Sequence, residues 1–208
     1  MRTLGLVLAC AVAAGAVADP LADASRERGW VSYRVPLAGD AAGPCCFEDW
    51  RRGEPVRRAC RLDRRDRDGL YGTISGTFDG DRRPRLKPLG SPTLAMYLRF
   101  ERGAVRELLA VGGACPVEVG GEKVRTLDGV TPEASAALLL RMIESPDDDL
   151  AEEALHALVL HARVGTDALL ALARDSRRAP AARRQALFWL GQSDDPRALA
   201  EIERILSR

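Results

Sequence analysis

The last third of the chain repeats a helical pattern, and this repeat limits the fold more than any other feature. The segment EALHAL (153–158) aligns with QALFWL (185–190) at an offset of 32 residues. The segments that follow, Asp167–Arg174 and Pro196–Leu206, align through their Ala-Leu pairs at an offset of 30 residues. Each hairpin of such an array buries its apolar face on its neighbour. The sequence therefore predicts a short α-solenoid of about two helical hairpins.

The second hairpin carries the more specific motif, RRQALFWLGQSDDPRALAEIERIL. The motif consists of Arg184, Ala186, Leu187, Leu190, Gly191, Asp195, Pro196, Ala198 and Leu199. It resembles bacterial HEAT repeats of the short type that also occur in phycobilisome lyase proteins. The first hairpin departs from the pattern, because Val159 stands in the glycine position and no Asp-Pro precedes its second helix. The resemblance implies a scaffold that binds protein, without lyase activity, because no lyase residue can be matched.

The N-terminus has the pattern of a secretory signal. An apolar run from Leu4 follows Arg2 and ends in Ala16-Val17-Ala18. This A-x-A pattern predicts a signal peptide over residues 1–18, cleaved after Ala18, and a periplasmic or secreted protein. A lipoprotein modified at Cys10 is the weaker alternative, because Leu8 just before Ala9 fits that signal poorly. No later stretch approaches the ~20 apolar residues of a membrane span, so we expect no membrane insertion after cleavage.

Four cysteines remain after this cleavage, Cys45, Cys46, Cys60 and Cys115. Disulfides persist in an oxidising compartment, and an even number of cysteines favours two of them. Adjacent cysteines rarely reach disulfide geometry with each other. Two pairings therefore stay open: Cys46–Cys60 with Cys45–Cys115, or Cys45–Cys60 with Cys46–Cys115.

Residues 19–130 are expected to form a β-rich domain that these disulfides hold together. Residues 19–28 are polar and predicted to be loosely ordered, and GWVSYRVPL (29–37) alternates as a strand does. We expect irregular backbone over residues 38–67 and a short strand at Leu70–Phe78. Two antiparallel hairpins are predicted, one over residues 93–111 with its turn at Glu101-Arg102-Gly103, the other over CPVEVGGEKVRTL (115–127).

Residues 131–208 are expected to be helical. Thr131-Pro132-Glu133 is typical of a helix start, since threonine caps, proline suits the first position and an acidic side chain favours the positive end. The helix from Pro132 to Ile143 should be largely buried, between the sheet and the repeats. The fold class predicted is α+β: a small disulfide-linked antiparallel β domain followed by a short HEAT-like helical array.

Metal and cofactor sites are not predicted. His156 and His161, five residues apart, would point about 140° away from each other on a helix, whereas zinc ligands on a helix lie about one turn apart. Asp147-Asp148-Asp149 lacks the glycine and distal glutamate of a calcium loop, so capping explains it better. The cysteines lack a C-x2-C spacing. No nucleophile has a matched base, and no glycine-rich phosphate loop follows a strand.

Phe188 and Trp189 are the candidate contact residues for a protein partner. Ala186, Leu187 and Leu190 already define the core side of their helix, so both aromatic side chains point away from its centre. They pack on the preceding hairpin or on the sheet, or they contact a partner on the open face of the repeats.

The charge balance argues against nucleic acid as a partner and is compatible with a protein partner. The chain has 31 basic and 30 acidic residues, which gives no electrostatic footprint for nucleic acid. The function expected is that of a non-enzymatic binding or scaffold protein of the cell envelope, with transient partners or within a stable structural complex. The alternative is an enzyme or accessory subunit with its site in the β-rich domain, which a pocket of convergent polar groups over residues 51–87 would indicate.

Overall fold

Strands and helices meet on a central four-stranded sheet in the computed structural model, which describes residues 19–38, 44–51, 54–57, 59–62, 93–193 and 195–207. The strands are β1 (Gly29–Pro36), β2 (Phe47–Arg51), β3 (Glu54–Arg57), β4 (Cys60–Arg61), β5 (Thr93–Glu101), β6 (Ala104–Gly112), β7 (Val117–Glu118) and β8 (Val124–Thr126). The helices are α1 (Pro20–Ser25), α2 (Pro132–Met142), α3 (Asp148–Leu160), α4 (Arg163–Arg174), α5 (Pro180–Gly191) and α6 (Pro196–Leu206). The chain combines sheet and helix, as the sequence predicts.

The hairpin of β5 and β6 is confirmed. The strands pair antiparallel, with Glu101 opposite Ala104, so the turn consists of Arg102 and Gly103. Both turn residues have positive φ, 52° and 82°. Positive φ at both positions is the conformation of the tight turn whose twist matches that of the flanking strands. Local turn chemistry therefore fixes the register next to the turn, and the register shifts by one residue between Arg99 and Phe100.

The sheet is mixed, and the prediction of a purely antiparallel sheet is wrong. Its strand order is β6-β5-β1-β8. β1 pairs antiparallel with β5 over its whole length, whereas β8 pairs parallel with β1, with Trp30 opposite Val124. The strand predicted at residues 29–37 is confirmed, and β1 occupies an interior position between two partners.

The second predicted hairpin is also wrong. Gly120 and Gly121 do form a turn, with φ of 58° and 86°. The strands on either side of it go to different partners, because β7 pairs parallel with β4 and β8 joins β1. The turn therefore leads from the two-stranded sheet of β4 and β7 to the central four-stranded sheet.

Two further segments of the N-terminal part differ from expectation. Residues 20–25 form helix α1, where a loose segment was expected, since the Asp19 side chain accepts a hydrogen bond from the Leu21 amide and Leu21 and Ala24 are buried. The segment 38–67, expected to be irregular, contains the paired strands β2 and β3. The predicted signal peptide, the strand at Leu70–Phe78 and most of residues 51–87 lie outside the described residues.

One face of the sheet is covered by helices. We call it the helix-covered face; it consists of Val31, Tyr33, Val35, Met96 and Leu98, all buried in one apolar cluster with side chains of α1 to α6. Their alternation along β1 and β5 follows from the period of two of a strand. The predicted boundary between residues 130 and 131 thus falls between two parts that share an apolar core.

The opposite face is covered by the cysteine-containing segment. We call it the disulfide-covered face; it consists of Trp30, Ala95, Leu109 and Val111, which contact Cys46, Cys60 and Leu62. Cys46 is bonded to Cys60 and Cys45 to Cys115, with Cα–Cα distances of 5.2 Å and 5.6 Å. The structure therefore contains the first of the two predicted pairings.

The helices after residue 131 follow one another closely. α2 has the predicted cap, since the Thr131 hydroxyl accepts from the Ala134 amide at 3.1 Å, and its Leu138, Leu139 and Met142 are buried. Asp147 caps α3 by accepting from the Leu150 amide. Each helix from α2 to α5 contacts the next one, and α4 also contacts α2 and α6. The helix predicted from Asp167 begins earlier, at Arg163.

The junction of α3 and α4 is joined to the end of β1. The Ala38 amide donates to the Leu160 carbonyl at 2.8 Å, and the Ala162 amide donates to the Pro36 carbonyl at 3.1 Å. Gly165 makes the sharp turn into α4 feasible, because a Cβ there would lie 2.2 Å from the Leu158 carbonyl oxygen. These bonds connect the sheet directly to the helical part.

Candidate functional site

The two aromatic residues that the sequence singles out differ in burial, although their rings meet edge to face with centroids 5.4 Å apart. On α5, Ala182, Ala186 and Leu190 form the buried side. Trp189 is partly buried against the apolar core, and Phe188 has 61% of its surface exposed. Trp189 thus contributes to packing between helices, and Phe188 is left on the surface.

Trp189 packs on the preceding hairpin through His156. The two rings meet edge to face, with centroids 4.9 Å apart and an interplanar angle of 81°. Such aromatic contacts add to stability beyond the area that they bury. This contact joins α5 to α3, the helices that the sequence repeat aligns.

A second exposed apolar side chain lies on the last helix. Leu199 of α6 is 61% exposed, whereas its neighbour Ala198 is buried. With Phe188 it belongs to the few large apolar side chains that the described residues expose, the third being Val119 at 38%. Exposed apolar residues that lie singly are common, so exposure alone does not assign a function to Phe188 or Leu199.

Charged side chains also join the two hairpins. Arg197 of α6 donates to Asp167 of α4 at 2.5 Å and to the capping carboxylate of Asp195. Bonds to the Arg197 side chain and amide lower the pKa of Asp195 to about 2. These pairs are exposed, so they direct the geometry more than they stabilise it.

Glu201 is the one carboxylate that the described residues bury, with 1% of its surface exposed. The Arg174 guanidinium of α4 donates to it at 2.8 Å, and Arg204 of α6 donates to both of its oxygens. The bonds to Arg204 and Arg174 lower its pKa to about 2 despite the opposing effect of burial. Two arginines thus satisfy a carboxylate between α4 and α6.

The histidines have separate surroundings. His161 is buried at the end of α3, where its Nε2 lies 2.8 Å from the Ser135 hydroxyl and its Nδ1 lies 2.7 Å from the Ala157 carbonyl. The Ser135 hydroxyl lies 2.8 Å from the Tyr33 hydroxyl. His156 instead contacts Trp189. Within the described ranges no group of three or more His, Cys, Asp or Glu side chains could hold a metal ion.

This chain of Tyr33, Ser135 and His161 is the arrangement that sequence reasoning misses. Ser135 is 26 residues from His161 and 102 residues from Tyr33 along the chain, so no local motif contains them. All three are at most 2% exposed, which places them in the core and out of reach of a substrate. Burial raises the pKa of Tyr33 to about 12, so its phenol stays protonated.

A cleft of about 430 Å³ lies between α1, the β5–β6 turn, α2 and the start of α3. Its lining is mainly apolar, with Phe100, Leu138 and Met142 among its residues, and it also includes Arg141. The volume is within the range of small-molecule sites, which also need a few convergent polar groups. The Asp19 carboxylate at this cleft is bonded to the Leu21 amide.

No family model matches the chain, and searches of curated proteins and of solved structures found no match. The resemblance to HEAT repeats therefore depends on the residues of α5 and α6 alone. Among the described residues, no helix is both long and apolar enough to cross a membrane.

Proposed function

We propose that this chain is an exported, non-enzymatic protein that binds a protein partner through the exposed face of its last two helices. The observation that carries the proposal is the exposure of Phe188, an aromatic side chain that the fold does not need in its core. Aromatic side chains are enriched among the residues that dominate the free energy of protein binding. Phe188 is the proposed centre of that surface, and Leu199 the proposed second contact.

Contacts between the two hairpins support a HEAT-like array. α3 contacts α5 through His156 and Trp189, and α4 contacts α6. The aligned helices of successive units pack in this way in helical-hairpin arrays. A face formed by such an array suits the recognition of another protein.

Two disulfides support export. Disulfides persist in oxidising compartments and are rare in the cytosol. The small apolar cluster around Cys46 and Cys60 makes these bonds important for folding. The proposed location is the periplasm or the extracellular space, with cleavage after Ala18.

The test compares capture by three forms of the disulfide-bonded protein from envelope extract at near-physiological salt. Phe188→Ser should reduce the amount of the retained partner about tenfold, the loss typical of an aromatic residue at the centre of an interface. Val119→Ser is the matched control, because it removes an exposed apolar side chain elsewhere and should retain the partner. Circular dichroism should show a melting temperature for Phe188→Ser only slightly below that of the parent, since the side chain is mostly exposed and loses one edge-to-face contact, the one with Trp189.

Two outcomes would contradict the proposal. Retention of background proteins only would argue against a binding function. Equal retention by the parent and Phe188→Ser would move the interface away from α5.

A further inference from the structure

The buried chain of Tyr33, Ser135 and His161 has a defined hydrogen-bond direction. A backbone carbonyl only accepts, so the Nδ1 of His161 carries a hydrogen and donates it to the Ala157 oxygen. In the neutral ring Nε2 is then an acceptor, and the Ser135 hydroxyl donates to it. The Ser135 oxygen in turn accepts from the Tyr33 hydroxyl. At neutral pH each of the three hydrogens, on His161 Nδ1, on the Ser135 hydroxyl and on the Tyr33 hydroxyl, therefore has an acceptor.

The hydrogen-bond chain of Tyr33, Ser135 and His161 connects three elements of the fold through side chains. Tyr33 lies on β1, Ser135 on α2, and His161 at the end of α3. The same junction contains the backbone bonds of Ala38 with Leu160 and of Ala162 with Pro36. The hydrogen-bond chain therefore lies where the helices join the sheet.

Protonation of His161 disrupts this arrangement. Nε2 then carries a hydrogen of its own, in addition to those of the Ser135 and Tyr33 hydroxyls. Only two hydrogen bonds are available to these three hydrogens, the one between His161 and Ser135 and the one between Ser135 and Tyr33. One donor loses its partner in a buried site, and a positive charge is buried as well. Both changes are unfavourable in a core.

The surroundings of His161 compensate for the charge only in part, because burial lowers its pKa more than the hydrogen bond to the Ala157 carbonyl raises it. Besides His161, Tyr33 on β1 is the titratable group of this hydrogen-bond chain. It is neutral over the pH range in which His161 titrates, because burial raises the pKa of Tyr33 to about 12. α2 contributes the Ser135 hydroxyl, α3 the Ala157 carbonyl, and α4 the backbone of Gly165. No charged side chain is among the causes that shift the pKa of His161 in the described part of the chain.

We propose that Tyr33, Ser135 and His161 form a pH-sensitive latch, which holds α2 and α3 on the sheet at neutral pH and weakens when His161 takes up a proton. The pKa of His161 is lowered by burial from its ordinary value of 6.5. The latch is therefore intact above pH 6.5 and is progressively weakened as the pH falls below that value. An envelope protein with such a latch would loosen its helical part on acidification.

The first test measures the His161 ring directly by nitrogen NMR on the disulfide-bonded parent protein. We expect the proton on Nδ1 at pH 8 and a midpoint of titration below 6.5. A proton on Nε2 at pH 8, or a midpoint at or above 6.5, would overturn the proposal. This measurement needs no substitution, so it stays decisive even if variants fail to fold.

The second test follows unfolding in denaturant between pH 8 and pH 5. The folding equilibrium constant of the parent should fall by up to about tenfold per pH unit below 6.5. His161→Gln should remove most of this dependence, because an amide does not titrate. His156→Gln is the comparison variant on the same helix; burial also lowers the pKa of His156, so this variant should lose part of the dependence, but less than His161→Gln loses, because His156 is only partly buried. If His161→Gln keeps the slope of the parent, the latch does not depend on His161.

A third readout separates local loosening from global unfolding. Amide hydrogen exchange at Ala38 and Ala162, corrected for the intrinsic effect of pH, should speed up on acidification more than exchange in the β5–β6 hairpin. Equal changes in both places would show global unfolding in place of a latch.

Discussion

The two faces of the sheet are stabilised in different ways. The helix-covered face belongs to an apolar cluster with members from all six helices of the described chain. The disulfide-covered face belongs to a cluster with seven described buried members, two of which are cysteines. In this smaller cluster of described residues, covalent bonds supplement apolar burial, since Cys46 and Cys60 are bonded to each other within it. The difference shows that one sheet can depend on burial on one side and on cross-links on the other.

The largest loss of stability should follow from removing the Cys45–Cys115 disulfide, which closes the longer loop. Replacing Cys45 and Cys115 together with alanine opens a loop of 70 residues and should cost about 4 kcal/mol of stability, against about 3 kcal/mol for Cys46 and Cys60 with a separation of 14. Unfolding in denaturant, monitored by circular dichroism, measures both. A larger loss from the Cys46–Cys60 pair would contradict the loop-entropy explanation of the disulfide-covered face.

A cavity in the core beneath the helix-covered face should cause a slightly smaller loss of stability. Leu139 of α2 is fully buried, so Leu139→Ala should cost about 3 kcal/mol through lost burial and an unfilled cavity. The control Leu199→Ala, at an exposed position, should cost less than about 0.5 kcal/mol. If the faces are independent, the losses from Leu139→Ala and from the Cys46–Cys60 pair should add within about 0.5 kcal/mol. A strong deviation from additivity would show that the two faces are coupled.

The smallest of these losses of stability concerns Glu201, the buried carboxylate between α4 and α6. Glu201→Gln should cost about 2 kcal/mol, less than a fully buried ion pair because Arg174 and Arg204 are themselves about half exposed. Chemical denaturation at pH 7 measures this loss. A neutral effect would mean that the two arginines do not stabilise the fold through Glu201.

The same residue predicts a dependence on pH. The pKa of Glu201 is lowered from 4.5 to about 2, so its contribution is present above pH 4.5 and is lost as the pH falls towards 2. Asp175 and Asp195, whose pKa values are also lowered to about 2, titrate in the same range. The difference between the parent and Glu201→Gln isolates the Glu201 contribution and should shrink across this interval.

Features that depend on neighbouring residues could be predicted from the sequence. The β5–β6 hairpin follows from alternation and a Gly-containing turn, and the start of α2 from Thr131 and Pro132. Helix α1 begins with the same kind of signal, Asp19 followed by Pro20. Its six residues are too few to show a helical period, so composition favours a loose segment there.

Features that depend on distant partners could not be predicted. The strands β7 and β8 follow each other closely, which favours a hairpin, yet β7 pairs with Cys60–Arg61 and β8 with β1. The pairing of four cysteines is left open for the same reason. Of the candidate contact residues, the sequence gives the helix that carries Phe188 and Trp189, and only the three-dimensional packing distinguishes the exposed residue from the partly buried one.

The central position of β1 affects how the chain folds while it is being made. β1 leaves the ribosome early, but β5, β8, Ser135 and the backbone around His161 all follow it in the chain. At about 5–20 residues per second, synthesis takes roughly 6–25 seconds to pass from the end of β1 to His161. During that interval the apolar side of β1 lacks its final cover. Exposed apolar strand surface of this kind promotes association between unfinished chains.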